Sequence, residues 1–159
     1  MATLSSKEIN KKIFLIQKKW ANYIIKIGKA FLDKKDYVYL VNEFLDDLYF
    51  FKQGTVLFKP TKASVEQFRP TFKMALSYFL GGDNSFCKED QGFAMKPWVK
   101  VNFENSGFLI DENRAIAMGN YFFTDEKGNA TKVEFTFGYK LVNSNLFIDL
   151  HHSSLPFSA

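Results

Sequence analysis

Apolar residues in the first part of the chain recur at three- and four-residue steps: Ile9, Ile13, Ile16, Trp20, Ile24, Ile27 and Phe31. At 3.6 residues per turn this spacing keeps one continuous apolar stripe. Lys12, Lys19, Asn22 and Lys26 fall mostly off the stripe, and Ser5 with Glu8 has the capping-box spacing. The pattern predicts a long helix over about residues 6–33. After a polar turn at Asp33–Asp36, Val38, Val41, Phe44, Leu45 and Leu48 mark a second, shorter helix that Gly54 terminates. "TVLFKP" reads as a short strand ending at Pro60, and "TKASVEQFR" as a polar loop. Pro70 suits the first turn of a third helix, where its missing N–H costs nothing. Met74, Leu76, Tyr78, Phe79 and Leu80 fill that helix, and Gly81-Gly82 ends it.

Beyond Gly82 the period changes. "AMKPWVKVNFENSGFLI", "RAIAMGNYFFT", "TKVEFTFGYKL" and "NLFIDLHHSS" are four strand-like runs, with "DEKGN" and "VNSN" as turns between the later ones. Val133, Phe135, Phe137 and Tyr139 alternate with Lys132, Glu134, Thr136 and Gly138, the two-residue period of a sheet with one buried face. Helices first and an antiparallel meander afterwards predict an α+β fold with the helices on one face of the sheet. The whole of residues 1–159 is expected to form one domain, with residues 1–5 outside its ordered part.

Composition narrows the function classes. The chain has 159 residues, and its 21 Lys and Arg against 17 Asp and Glu leave a net charge of only +4, scattered along the chain. No basic stripe interleaved with stacking aromatics or a known motif marks a nucleic-acid surface. Cys87 stands alone, so no intrachain disulfide marks an oxidising compartment. The longest apolar runs are too short for a signal peptide core or a membrane span, and cytoplasm is the expected location. Nineteen Phe raise the aromatic share to 18%, which predicts an aromatic core and allows an aromatic-walled ligand cavity.

The order helix, helix, short strand, helix and four antiparallel strands resembles the nuclear transport factor 2-like superfamily. "LHHSSLP" at the end of the last strand, "DLYFFKQGTVLFKPT" and "FRPTFKMALSYFLGG" are similar to bacterial proteins akin to the association domain of calcium/calmodulin-dependent protein kinase II. A more distant likeness is to SnoaL-like polyketide cyclases. The resemblance implies a cone in which a curved antiparallel sheet wraps a long N-terminal helix, with two shorter helices and an internal hydrophobic pocket. It also implies dimerisation through the sheet. It does not fix a function, because the superfamily includes both enzymes and non-catalytic modules.

The two histidines, His151 and His152, are adjacent, so on a regular strand they point to opposite faces. That disfavours a shared metal ion, and a catalytic zinc site needs three protein ligands. No metal and no other cofactor is expected. A Ser-His-acid triad fails for a similar reason: Ser153 follows His152 directly, and the three groups must converge. Leu146, Ile148, Leu150 and His152 share one parity, which places the aliphatic face and His152 inward. Asp149 and His151 then lie on the outer face, free to pair with each other or with a second subunit. His152, His151, Arg69, Trp98 and Tyr121 are the candidate ligand-binding residues. Arg69 is read either as a helper for an anionic ligand or as a surface salt bridge.

Two functional readings follow. One is a non-catalytic association or small-molecule-binding module, a homodimer holding a small organic ligand and touching neither nucleic acid nor membrane. The other is a cofactor-free isomerase, cyclase or dehydratase with His152 as acid/base and Glu134 or Arg69 assisting.

Overall fold

The structure is a computed structural model that describes residues 4–83 and 85–159. Helix α1 runs Ser6–Leu32 and buries Ile9, Ile13, Ile16, Trp20, Ile24 and Ile27, the predicted stripe except for its last member, Phe31, which is exposed. The capping box is formed: Ser5 accepts from the Glu8 amide, and the Glu8 carboxylate accepts from the Ser5 amide at 2.8 Å. Ser5 is therefore part of the ordered helix start, and Leu4 packs against the core, contrary to the expectation for residues 1–5. Residues 1–3 lie outside the described residues. Helix α2 spans Tyr37–Leu48, capped by Asp36, and α3 spans Phe72–Leu80. Thr71, not Pro70, opens α3, and its side chain accepts from the Met74 amide. Gly81 ends it at φ 58°, pressed on the backbone of Gly92, where a Cβ would come within 2.3 Å of the Gly92 nitrogen.

Strands β1 (Leu57–Lys59), β2 (Trp98–Ile110), β3 (Arg114–Asp125), β4 (Ala130–Val142) and β5 (Asn145–Ser154) form one mixed sheet of order β1-β5-β4-β3-β2. The last four are the predicted antiparallel meander, while β1 pairs parallel to β5. The curved sheet folds over α1 as a nuclear transport factor 2-like α+β cone. Val133, Phe135, Phe137 and Tyr139 face inward, as their alternation requires. Trp20 sits at the middle of the interior, with the rings of Phe44, Phe103, Tyr121, Phe123, Phe137 and His151 centred 5.6–6.1 Å away. Rings of this size dominate the burial that stabilises a core. No helix among the described residues is long and apolar enough to cross a membrane.

One irregularity in β5 decides the site. Gly138 pairs with Leu150 and Tyr139 with Ile148, so Asp149 is an extra residue in a β-bulge. Leu146 and Ile148 point inward before it, and His151 and Ser153 point inward after it. The expected continuation of parity to Leu150 and His152 is therefore wrong. His152 is exposed on the outer face, and His151 is 3% exposed in the core.

Candidate functional site

A polar relay crosses the aromatic interior. Trp20 Nε1 donates to Tyr49 Oη at 3.0 Å. Tyr49 Oη lies 2.9 Å from His151 Nδ1, and His151 Nε2 lies 3.1 Å from Tyr121 Oη. Trp20 can only donate, so Tyr49 accepts from it and turns its own proton to Nδ1. Assigned this way, Nε2 carries the imidazole hydrogen and donates to Tyr121. The phenol proton of Tyr121 is left free to point onward into the cavity that Tyr121 and Ser153 both line. Ser153 in turn shares a short hydrogen bond with Thr61 Oγ1. Tyr49 comes from the end of α2, Tyr121 from β3, His151 and Ser153 from β5, and Thr61 from the loop after β1.

The ring of His151 is sandwiched between Phe137 at 4.1 Å and Phe58 at 4.9 Å, both nearly parallel to it. Burial, with a smaller contribution from the neighbouring His152, pushes its pKa down to about 3. It is a neutral imidazole at physiological pH. Burial likewise holds the Tyr49 and Tyr121 phenols well above their ordinary range, so both keep their protons. The relay is thus a set of neutral, directional donors and acceptors in a low-dielectric interior, where such groups act more strongly than in water.

His151, Tyr121, Ser153 and Thr61 line a small cavity of about 10 Å³, walled otherwise by rings such as Trp20 and Phe123. That is room for roughly one water-sized guest. An outer cleft of about 600 Å³ adjoins it and carries Lys62, Lys96 and Trp98. Tyr78 and Phe93, stacked at 5.7 Å, line both spaces and separate them.

The other candidate residues fall elsewhere. Glu134 is exposed and accepts from Ser154 at 2.8 Å on the outer face, so it cannot assist chemistry at His151. Trp98 is buried at the wall of the outer cleft and donates to the Phe93 carbonyl. Arg69 is neither a surface ion pair nor a free anion receptor. It is fully buried, and its five N–H groups are directed at Asp90 (twice), Glu89 and the carbonyls of Glu66 and Met74. Asp149 does not pair with His151 but with Arg114. Cys87 is buried, and burial raises its thiol to about 11, which leaves it inert. Phe147 is only half-buried and meets Phe50.

Tyr49 and Trp20 are members of this relay that sequence reasoning misses, because both fit the helical core pattern. Their polar tips were the available signal: a buried Tyr hydroxyl or Trp N–H needs a partner. Among the described residues no group of three His, Cys, Asp or Glu is placed to hold a metal ion.

The profile of the family "Metal-independent carbonic anhydrase" (MICAH) matches residues 11–155. A metal-independent carbonic anhydrase of Nostoc sp. is 39% identical over 150 residues, covering 92% of this chain and 73% of that protein. The crystal structure of a cyanobacterial iota-carbonic anhydrase complexed with bicarbonate superposes with TM-score 0.89 at 35% identity, covering 99% of this chain and 95% of the other. A calcium/calmodulin dependent protein kinase II association domain protein from Xanthomonas campestris superposes with TM-score 0.57 at 18% identity, covering 89% and 84%. At that identity it shares the fold alone.

Proposed function

Since this chain belongs to the metal-independent carbonic anhydrase family, we propose that it catalyses the reversible hydration of carbon dioxide to bicarbonate without a metal ion, at the His151–Tyr121–Ser153 cavity. The same family assignment overturns the expectation of an uncharacterised association or ligand-binding module. It equally overturns the alternative of an isomerase, cyclase or dehydratase, and the exposure of His152 removes the acid/base that alternative required.

The observation that carries the proposal is the neutral relay ending in a water-sized cavity, in a chain whose solved relative holds bicarbonate. Carbon dioxide is apolar and suits the ring-walled space between Trp20 and Phe123, which as it stands holds only one water-sized guest, so the Tyr78 and Phe93 rings between it and the outer cleft must part to admit the gas beside a water. A water held by the Ser153 and Thr61 hydroxyls attacks the carbon. One C–O bond forms, and one C=O π pair moves onto oxygen. The Tyr121 hydroxyl, oriented by His151, donates to that developing charge. The water's proton leaves through Ser153 and the half-buried Thr61 to solvent. A positioned donor to developing charge is typically worth about 10²–10³ in rate. His151 acts by fixing the Tyr121 proton outward; an imidazole so hard to protonate is a poor general base near neutral pH.

Stopped-flow carbon dioxide hydration by the purified full chain, followed with a pH indicator, tests the proposal. A rate above the buffer control that His151→Ala abolishes supports it. A wild-type rate equal to the buffer control removes it.

A further inference from the structure

The sequence contains two competing registers for β5. A regular strand continuing from Leu146 and Ile148 would bury Leu150 and His152, because a one-residue slip exchanges every side chain between faces. The bulge at Asp149 instead sends Asp149 and Leu150 outward in succession and brings in His151 and Ser153. Something must favour the bulged register.

The outer face shows what holds it. The Arg114 guanidinium, on β3, reaches across β4 and donates to Asp149 Oδ2 at 2.5 Å. The crossing point is Gly138, the partner of Leu150. A Cβ there would lie 2.6 Å from the Leu150 Cβ, 3.0 Å from an Arg114 nitrogen and 3.1 Å from Asp149 Oδ1. Only glycine leaves room for both the bulge and the ion pair. Arg114 is itself anchored, because it opens β3 and its carbonyl accepts from the Asp111 amide at 2.8 Å. Asp149 Oδ1 is buried without another protein partner among the described residues, so Arg114 alone answers this carboxylate.

We infer that Arg114 and Asp149, meeting over Gly138, are positioning residues that hold the β5 bulge and thereby keep His151 rather than His152 at the cavity. Their effect on catalysis rests on the proposed carbon dioxide hydration; their effect on which histidine is buried does not. Arg114→Met, or Gly138→Val by crowding, releases β5 towards the unbulged register.

The chain has only two histidines, so imidazole NMR reports on both at once. In the wild type, one imidazole signal stays fixed from pH 5 to 8 and resists diethylpyrocarbonate, as the burial of His151 requires. In Arg114→Met, His151, identified by comparison with His152→Gln, responds to pH and reacts whether or not His152 has moved inside in its place, and hydration kcat/KM falls at least tenfold while unfolding stays cooperative. Arg114→Lys restores the protection of His151 and part of the rate. Should Arg114→Met fail to fold, Asp149→Asn keeps the side-chain size, removes the charge and carries the same readouts. A protected His151 in both Arg114→Met and Asp149→Asn, with kcat/KM within twofold of wild type, overturns the inference. If the wild type hydrates no carbon dioxide, the proposed function falls, and the histidine readout still decides the clamp.

Discussion

Replacing Tyr121 by Phe removes one oxygen atom and leaves the ring packing of the interior unchanged. That oxygen is 3.1 Å from His151 Nε2, in a residue only 2% exposed. Its loss leaves the imidazole N–H without an acceptor, which costs about 1–3 kcal/mol. At roughly 2–4 °C per kcal/mol for a chain of this size, Tm should fall by about 2–12 °C. The rate should fall much further in relative terms. If Tyr121 donates to the developing oxyanion, carbon dioxide hydration should drop by about 10²–10³, equivalent to about 3–4 kcal/mol. Tyr139→Phe is the matched control. Its hydroxyl is also buried and accepts from Gln17 at 3.3 Å, but it lies away from the cavity. It should cost a comparable amount of stability or less, and leave the hydration rate unchanged. Stopped-flow rates and thermal melts on the two variants separate the roles. If Tyr121→Phe keeps more than half of the wild-type rate, or if both variants lose rate in proportion to their lost stability, Tyr121 is structural and the proposed chemistry is wrong.

The depressed His151 pKa makes stability pH-dependent. With the folded value at about 3 and the ordinary value at 6.5, the unfolded chain binds the proton first as pH falls, so stability declines below about pH 6.5. The slope approaches ~1.4 kcal/mol per pH unit, which amounts to about 2 kcal/mol between pH 6.5 and 4.5. Carboxylates held low, such as Glu89 at about 2, add their own loss only below that window. Urea midpoints at successive pH values should show the decline in wild type and its absence in His151→Phe. Arg69→Met strands the Asp90 carboxylate in a fully buried pair and should destabilise by about 3–5 kcal/mol, read from chemical denaturation. Prolonged dialysis against a strong chelator should leave the hydration rate unaltered; a loss restored by zinc would show that a metal takes part.

Much of the fold was legible along the chain because its causes are local. The three- and four-residue spacing from Ile9 to Ile27 dictates α1, and Ser5 and Glu8 cap it with contacts three residues apart. The alternation from Val133 to Tyr139 dictates the buried face of β4. Arg69 was misread because its partner Asp90 lies 21 residues away, beyond any local signal. The histidines were misread for a similar reason. Period-two reasoning holds only while a strand stays regular, and β5 departs from it at Asp149, where the answering charge comes from Arg114, 35 residues earlier. The pattern of side chains thus selects the elements and one face of each, since backbone geometry repeats locally. Which histidine meets Tyr49 and Tyr121 is set by contacts between strands distant in sequence, and those exist only once the sheet has closed over α1.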